Sequence, residues 1–499
     1  MNNSFNFSEF SKQSPKGIVV IYLNLIYKSI KLTWILLFFV VRDFYKIVNY
    51  TGGYIYLIFF LLMLVLLIRA ILLYNNFQFK IDKEHFVLNQ GILSKTNTSI
   101  PFHRIQNINF KQNIVQQIIN VFEVSIETAG SKDTEIAIKA LSFKKAKALK
   151  EEILNSSSID KEVIENLDKP LVKINIKELF KVSLTENHLQ SLLLFLAVLI
   201  GFFQQIQQVL DGLGETEALD GFIQENTNNV SPSFFFILII LFFLTITAFL
   251  SSFFRVFVKH FNLVAFLKED AFEINQGLFT KKSIVLKKLK VQNITISTNP
   301  LKRLIGISYV SFKQAVSGKI SNKNKEKLIR IVGCKKNQIE KIKLSLFDVS
   351  EIDNSKKYFP NAYYKNRILF YTFLFFIIAY LVLFLVFKHL EIFYTLGLMV
   401  PLFLFLIHKK IKKRYYKITD SLLIVGRGLI ETHLTYLELF KVQNIKLHQT
   451  LFQKRKQVAD IVLQTASGKI TIPCIPIEDA ITIYNKTLFK VETSKQSWM

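Results

Sequence analysis

The side chains best placed to do chemistry are six amides. A Gln-Asn-Ile triplet recurs three times, at Gln106-Asn107, Gln292-Asn293 and Gln443-Asn444, each followed by Ile. Every amide offers both a donor and an acceptor, so such a pair can hold a polar ligand or satisfy main-chain groups at a bend or bulge. Three copies with different flanks favour the packing role. Other carriers of chemistry are scarce. The eight His include no pair four residues apart, and there is no Gly-x-Ser-x-Gly and no phosphate-binding loop. Cys334 and Cys474 have no partner at zinc or redox spacing. The expectation is therefore no catalytic residue, no metal ligand and no cofactor, with an enzyme the third of three readings.

The triplets belong to a longer repeat. Fifteen residues before each Gln stands a Gly (Gly91, Gly277, Gly428), and twenty-three after it an Ala (Ala129, Ala315, Ala466). Register held over that span marks three homologous modules. The glycines are expected at turns with φ above zero. In the first module, Phe86-Val87-Leu88 and Ile92-Leu93 flank such a turn. Val124–Thr128 and Glu135–Ile138 alternate around a second turn, and Ser142 opens a helix with Phe143, Ala146, Leu149 and Ile153 on one face. The third module repeats the plan through Asp460–Gln464, a Ser467-Gly468 turn and Lys469–Ile472, then a helix from about Ile477 with Ile481, Tyr484 and Leu488 aligned. The second inserts a basic stretch between Gly318 and Leu328 and ends in a helix near Lys335 to Leu346.

Composition says where the modules live. Hydrophobic residues make up 51% of the 499, including 48 Phe, which exceeds the needs of one soluble core. The excess is concentrated in six blocks, about 30–48, 54–74, 189–209, 233–254, 368–387 and 392–407, each near bilayer-spanning length. The fold class expected is an α+β membrane protein with six transmembrane helices in three hairpins. Residues 1–75 hold an N-terminal segment, including an interfacial amphipathic stretch at 18–31, and the first hairpin. Module one is 76–156, a linker 157–186, the second hairpin 187–258 and module two 259–346. A linker at 347–365, the third hairpin at 366–408, module three at 409–492 and a tail at 493–499 complete the chain. No cleavable leader is expected, so the first helix stays as an anchor. Arg42 and Asp43 in the first block either line a pathway or mark its outer end with Arg snorkelling.

Net charge is +27. From Arg255 to Lys365 there are 23 Lys or Arg against 8 Asp or Glu, and from Lys409 onward 16 against 7, whereas 210–232 holds five acidic residues and no basic one. The positive-inside rule then puts the acidic loop outside, with both termini and all three modules on the cytoplasmic face of the membrane.

One motif carries a family resemblance. Gly91, then Ile100-Pro101-Phe102-His103-Arg104-Ile105-Gln106-Asn107-Ile108, then Thr128-Ala129-Gly130, all after a membrane hairpin, resembles the bacterial pleckstrin-homology-like domain of YdbS/YdbT-type membrane proteins. Modules two and three lack the Pro, and module two lacks the Thr-Ala-Gly. The resemblance implies a small curved antiparallel sheet, sandwich or open barrel, with a C-terminal helix as cap.

The first functional reading is a non-enzymatic scaffold presenting three modules at the inner leaflet for protein interaction, including self-association, or for anionic-lipid headgroups. Its candidate lipid-surface residues are Lys281, Lys282, Lys287, Lys288, Lys290, Lys302 and Arg303. No nucleic acid is expected, because a tethered basic patch meets the leaflet first. The second reading is a transporter or lipid-handling protein with a pathway through the helices. Polar groups for it are few, beyond Arg42, Asp43, Arg69 and Gln204, Gln205, Gln207 and Gln208.

Overall fold

The structure, a computed structural model, describes residues 5–42, 49–50, 52–128, 136–155, 169–186, 188–213, 234–315, 329–347, 355–387 and 391–496. The turn at 129–135, the acidic loop 214–233, the basic insertion 316–328 and Asp43 lie outside them. Module one runs β1 (Ser11–Lys12), α1 (Gly17–Arg42), α2 (Tyr54–Asn75), β2 (Gln78–Asp82), β3 (His85–Gln90), β4 (Thr96–Pro101), β5 (Ile105–Gln112), α3 (Ile114–Ile118), β6 (Phe122–Thr128), β7 (Ile136–Leu141) and α4 (Phe143–Asn155). Module two runs β8 (Val172–Lys173), α5 (Ile176–Leu184), α6 (His188–Leu213), α7 (Phe234–His260), β9 (Val264–Leu267), β10 (Ala271–Gln276), β11 (Lys281–Lys287), β12 (Val291–Thr298), α8 (Pro300–Ile305), β13 (Ser308–Gln314), β14 (Ile329–Cys334) and α9 (Lys336–Leu344). Module three runs α10 (Ala362–Phe387), α11 (Glu391–Lys412), β15 (Tyr415–Ile418), β16 (Leu422–Gly428), β17 (Thr432–Glu438), β18 (Val442–His448), α12 (Leu451–Arg455), β19 (Val458–Thr465), β20 (Gly468–Pro476) and α13 (Ile477–Thr493).

Each module is two antiparallel meanders around one core. Alternation at period two sends Phe79, Ile81, Phe86 and Leu88 inward from one meander of module one and Val124, Ile126, Ile136 and Ile138 from the other. Ala146, Leu149 and Ile153 of α4 close that core, but Phe143 stays 59% exposed beside Phe122. In α13 the buried face is Ala480, Ile483 and Thr487, with Tyr484 and Leu488 packed beside it, so Ile481 faces outward, a rotation from the expected stripe. Each buried Ile, Leu or Phe contributes roughly 1.5–3 kcal/mol over an exposed one.

The helix pairs α1/α2, α6/α7 and α10/α11 pack as hairpins inserted inside the modules. β1 pairs with β2 and β8 with β9, while Tyr358 bridges to Tyr416, so the chain leaves for the helices and returns to the same sheet. The N-terminal segment therefore contributes Phe7 to the first core, and the stretch expected as linker 157–186 contributes Val172, Ile174, Leu179 and Val182 to the second. α1 breaks at Thr33 (φ −111°), so the stretch at 18–31 is its first limb. Among the described residues, three helices are long and apolar enough to cross a membrane, at Tyr54–Asn75, Phe242–His260 and Ala362–Val382.

The modules are not beads. β5 of module one pairs with β11 of module two in a seven-stranded sheet, and β12 of module two pairs with β17 of module three in a six-stranded one. Leu422, Ile424 and Tyr436 of module three join the core of module two. Module two cannot be excised without stripping β-edges on both sides and the core residues that module three lends it.

Candidate functional site

The three Gln-Asn-Ile triplets sit at one structural place. In each module a single 3-10 turn (Phe102–Arg104, Lys288–Lys290, Leu439–Lys441) leads into the strand that starts the second meander. There the ladder slips by one residue, between Ile105 and Asn107, Val291 and Asn293, and Val442 and Asn444. Gln106, Gln292 and Gln443 are thus the extra residues of three β-bulges. Side-chain placement differs by copy. Gln292 and Asn293 are each 1% exposed, and Asn293 Nδ2 donates to Ser467 Oγ of module three at 2.6 Å. Gln443 and Asn444 are exposed. The side chains of Gln106 and Asn107 lie outside the described set.

Gly91, Gly277 and Gly428 have φ of +114°, +109° and +148°, as their turns require. The loop after Gly277 rests on the end of its own hairpin. Gly277 N–H donates to the Phe261 carbonyl at 2.8 Å and Leu278 N–H to the Val258 carbonyl at 3.0 Å, while the Phe279 ring centroid lies 6.4 Å from that of Phe254 in α7. In module three, Lys413 Nζ at the end of α11 donates to the Leu429 and Ile430 carbonyls, each at 2.7 Å.

At each junction the short helix of the preceding module touches that loop. Gln117 Nε2, in α3, donates to the Leu278 and Phe279 carbonyls at 3.3 and 3.1 Å. Lys302 of α8 meets Glu431 at 3.3 Å, its Nζ 3.7 Å from the Tyr309 ring centroid. Between the paired strands, Thr295 and Thr435 hydroxyls lie 3.2 Å apart, and Ser297 Oγ sits 2.8 Å from His433 Nδ1. Burial pushes the His433 pKa below its usual value, with Glu431 opposing.

This geometry splits the basic residues that looked like one lipid surface. Lys281 and Lys282 open β11 beside the loop on α7 and are exposed. Lys287, Lys288 and Lys290 lie at its far end, about 20 Å away by strand rise, and desolvation pulls the pKa values of Lys287 and Lys290 down. Lys302 is only 2% exposed and neutralised by Glu431, so it is no surface lysine. Arg303 is exposed and close enough to Lys413 to depress its pKa, after desolvation as the leading cause. The helix-proximal basic set is therefore Lys281, Lys282, Arg303 and Lys413. Sequence reasoning missed Lys413 as a site residue, though it stands in the run Lys409 to Arg414.

Apolar side chains share this rim. Leu301 and Leu304 on α8 are 51% and 84% exposed, Ile118 on α3 is 79%, and Phe279 is 45%. At the first junction a cleft of about 540 Å³ is walled by Gln117, Phe261, Gln276, Lys281, Lys282 and Ser283 among others. Among the described residues no three His, Cys, Asp or Glu gather as a metal site, and Cys334 and Cys474 are separate buried thiols.

Comparison with known families matches the bacterial PH domain three times, over residues 32–157, 195–354 and 369–488. The chain belongs to the bacterial PH domain family. It is also similar to UPF0699 transmembrane protein YdbT of Bacillus subtilis (strain 168), 25% identical over 275 residues. That match covers 52% of this chain and 53% of YdbT, about half of each. The matched spans take in most of each helix pair as well as the sheets, in keeping with hairpins inserted inside bacterial PH modules.

Proposed function

We propose that this membrane protein is a non-enzymatic scaffold whose six long helices cross the inner membrane as three hairpins and whose three fused PH modules lie on the cytoplasmic leaflet, in contact with anionic lipid. The rim carries this reading: exposed Leu301, Leu304 and Phe279 stand beside exposed Lys281, Lys282 and Arg303, next to helix ends. Apolar residues at headgroup depth with cations around them suit a lipid surface, where each basic group contributes about 1 kcal/mol. The cleft walled by Lys281 and Lys282 has the chemistry to hold an anionic headgroup. The acidic stretch 210–232 against the basic modules supports the orientation.

Two measurements on the full chain test it. Cysteines placed at Glu217 and at Lys341 are expected to react with an impermeant reagent from opposite sides of intact cells; labelling of both from outside refutes the orientation. In liposomes, a Leu304→Cys chain carrying an environment-sensitive dye is expected to be quenched by headgroup-depth lipid quenchers. That quenching should rise with anionic lipid, weaken with salt and drop severalfold in a Lys281→Glu/Lys282→Glu background. Quenching indifferent to lipid charge would move the role of the rim to protein partners.

A further inference from the structure

The two junctions inside the chain are the same junction. Lys95, Lys281 and Thr432 each stand four residues after the repeat Gly, and Gln112, Thr298 and Gln449 six after the repeat Gln. At the first junction Lys281 faces Gln112, and at the second Thr432 faces Thr298. The pairing strands thus meet antiparallel in identical register, although the two junctions share few residue identities. What repeats is the surface.

Among the described residues one copy of each half has no partner strand. β4, the counterpart of β11 and β17, is the outer strand of the first sheet, and β18, the counterpart of β5 and β12, is the outer strand of the last. Their exposure shows what the missing partner would cover. Seven of the eight residues of β12 are buried, whereas in β18 only Val442 and Ile445 are. Thr435 of β17 is buried, but its counterpart Thr98 is half-buried. Leu93, the counterpart of Phe279 and Ile430 at the loop tip, is 100% exposed. Edges left open are normally guarded by charge or proline within the strand. The β4 run Thr96-Asn97-Thr98-Ser99 carries no charge, and Pro101 at the end of β4 lies beyond the residues that pair at the two junctions, whereas β18 carries Lys446.

We propose that β4 of one copy pairs with β18 of a second, so that copies of this protein join head to tail in the membrane by a third junction of the same kind. The shared register puts Thr98 opposite Lys446, the place of the Thr435–Thr295 contact, and Lys95 opposite Gln449. Lys454 takes the place of Gln117 and faces the Ile92 and Leu93 carbonyls of the next copy. Each internal junction carries the loop that touches its own membrane helix, so repeating it keeps both copies in one bilayer. Such a contact is heterologous: it closes into a ring or grows as a row, according to the rotation per copy. It deepens the scaffold reading and rests on it for the shared membrane, but the edges pair whether or not the rim binds anionic lipid.

The test uses two differently tagged full-length chains, Thr98→Cys and Lys446→Cys, co-expressed and mildly oxidised in native membranes. Directly opposed residues on antiparallel strands come within disulfide reach, and the native Cys334 and Cys474 are buried. A mixed-tag disulfide dimer is expected, about tenfold over the Ser99→Cys/Lys446→Cys pair, whose side chains point to opposite faces, and a chain carrying both Thr98→Cys and Lys446→Cys should give a ladder. A Thr98→Lys chain should associate less by light scattering in mild detergent, and adding Lys446→Glu should restore it. No cross-link, equal cross-linking from Ser99, or association indifferent to Thr98→Lys overturns the proposal. Lipid quenching at Leu304 in the same samples reports the rim separately, so its failure leaves the cross-link standing.

Discussion

A Gly277→Val chain is expected to lose on the order of 3 kcal/mol or more at the first junction, whereas Gly306→Ala should lose about 1–2 kcal/mol. Both glycines hold positive φ, +109° and +74°, which an L side chain adopts only under strain. They differ in what a Cβ would meet. At Gly306 there is open space, so the cost is conformational alone. At Gly277 a Cβ would overlap the Thr280 carbonyl oxygen, and the loop cannot swing aside. It is pinned to the end of α7 by the Phe261 and Val258 carbonyls and to module one by Gln117. The readout is the melting midpoint in detergent, followed by size exclusion after heating. Equal shifts for the two substitutions would mean that the loop relaxes freely and that the pinning is unimportant.

Much of this fold was legible because it is written locally. The Gly-to-Gln spacing located three turns and three bulges, since φ above zero and an extra ladder residue are properties of a few adjacent residues. Alternation located the strands. The partners of those strands were not legible: an edge is recognised through main-chain groups, and Thr295 and Ser297 carry nothing that names the strand opposite them. Module three is what buries them. Charge misled for the same reason. Lys281-Lys282 and Lys287-Lys288 are close in sequence yet lie at opposite ends of one strand, and nothing near Lys302 announces Glu431, 129 residues on. The inserted hairpins hid the module starts, because Ser11–Lys12 and Val172–Lys173 are strands of two residues, too short a signal for periodicity.

That concealed pair also gives the second large effect. Lys302→Glu is expected to cost on the order of 3–5 kcal/mol at neutral pH, because it sets two carboxylates against each other where the Lys302 side chain is 3% exposed and Glu431 is 31%. Lys302→Met should cost well under half as much. Its apolar body can keep the packing on Tyr309 once supplied by the lysine stem, and Glu431, partly exposed, can turn to water. The double variant Lys302→Glu/Glu431→Lys should recover part of the loss, the difference reporting the coupling. The defect of Lys302→Glu should also depend on pH in one direction. Crowding of like charges raises the folded-state pKa of the carboxylate pair above the ordinary Glu value, so the folded state binds more protons and the loss shrinks as pH falls from 7 toward 5. His433 Nε2 stands 3.8 Å from Glu431 and would add its own titration, so the comparison is made in a His433→Gln background. Melting midpoints for Lys302→Glu and Lys302→Met that coincide at pH 7 would show that the pair contributes only bulk, and that the second junction is held by its strands alone.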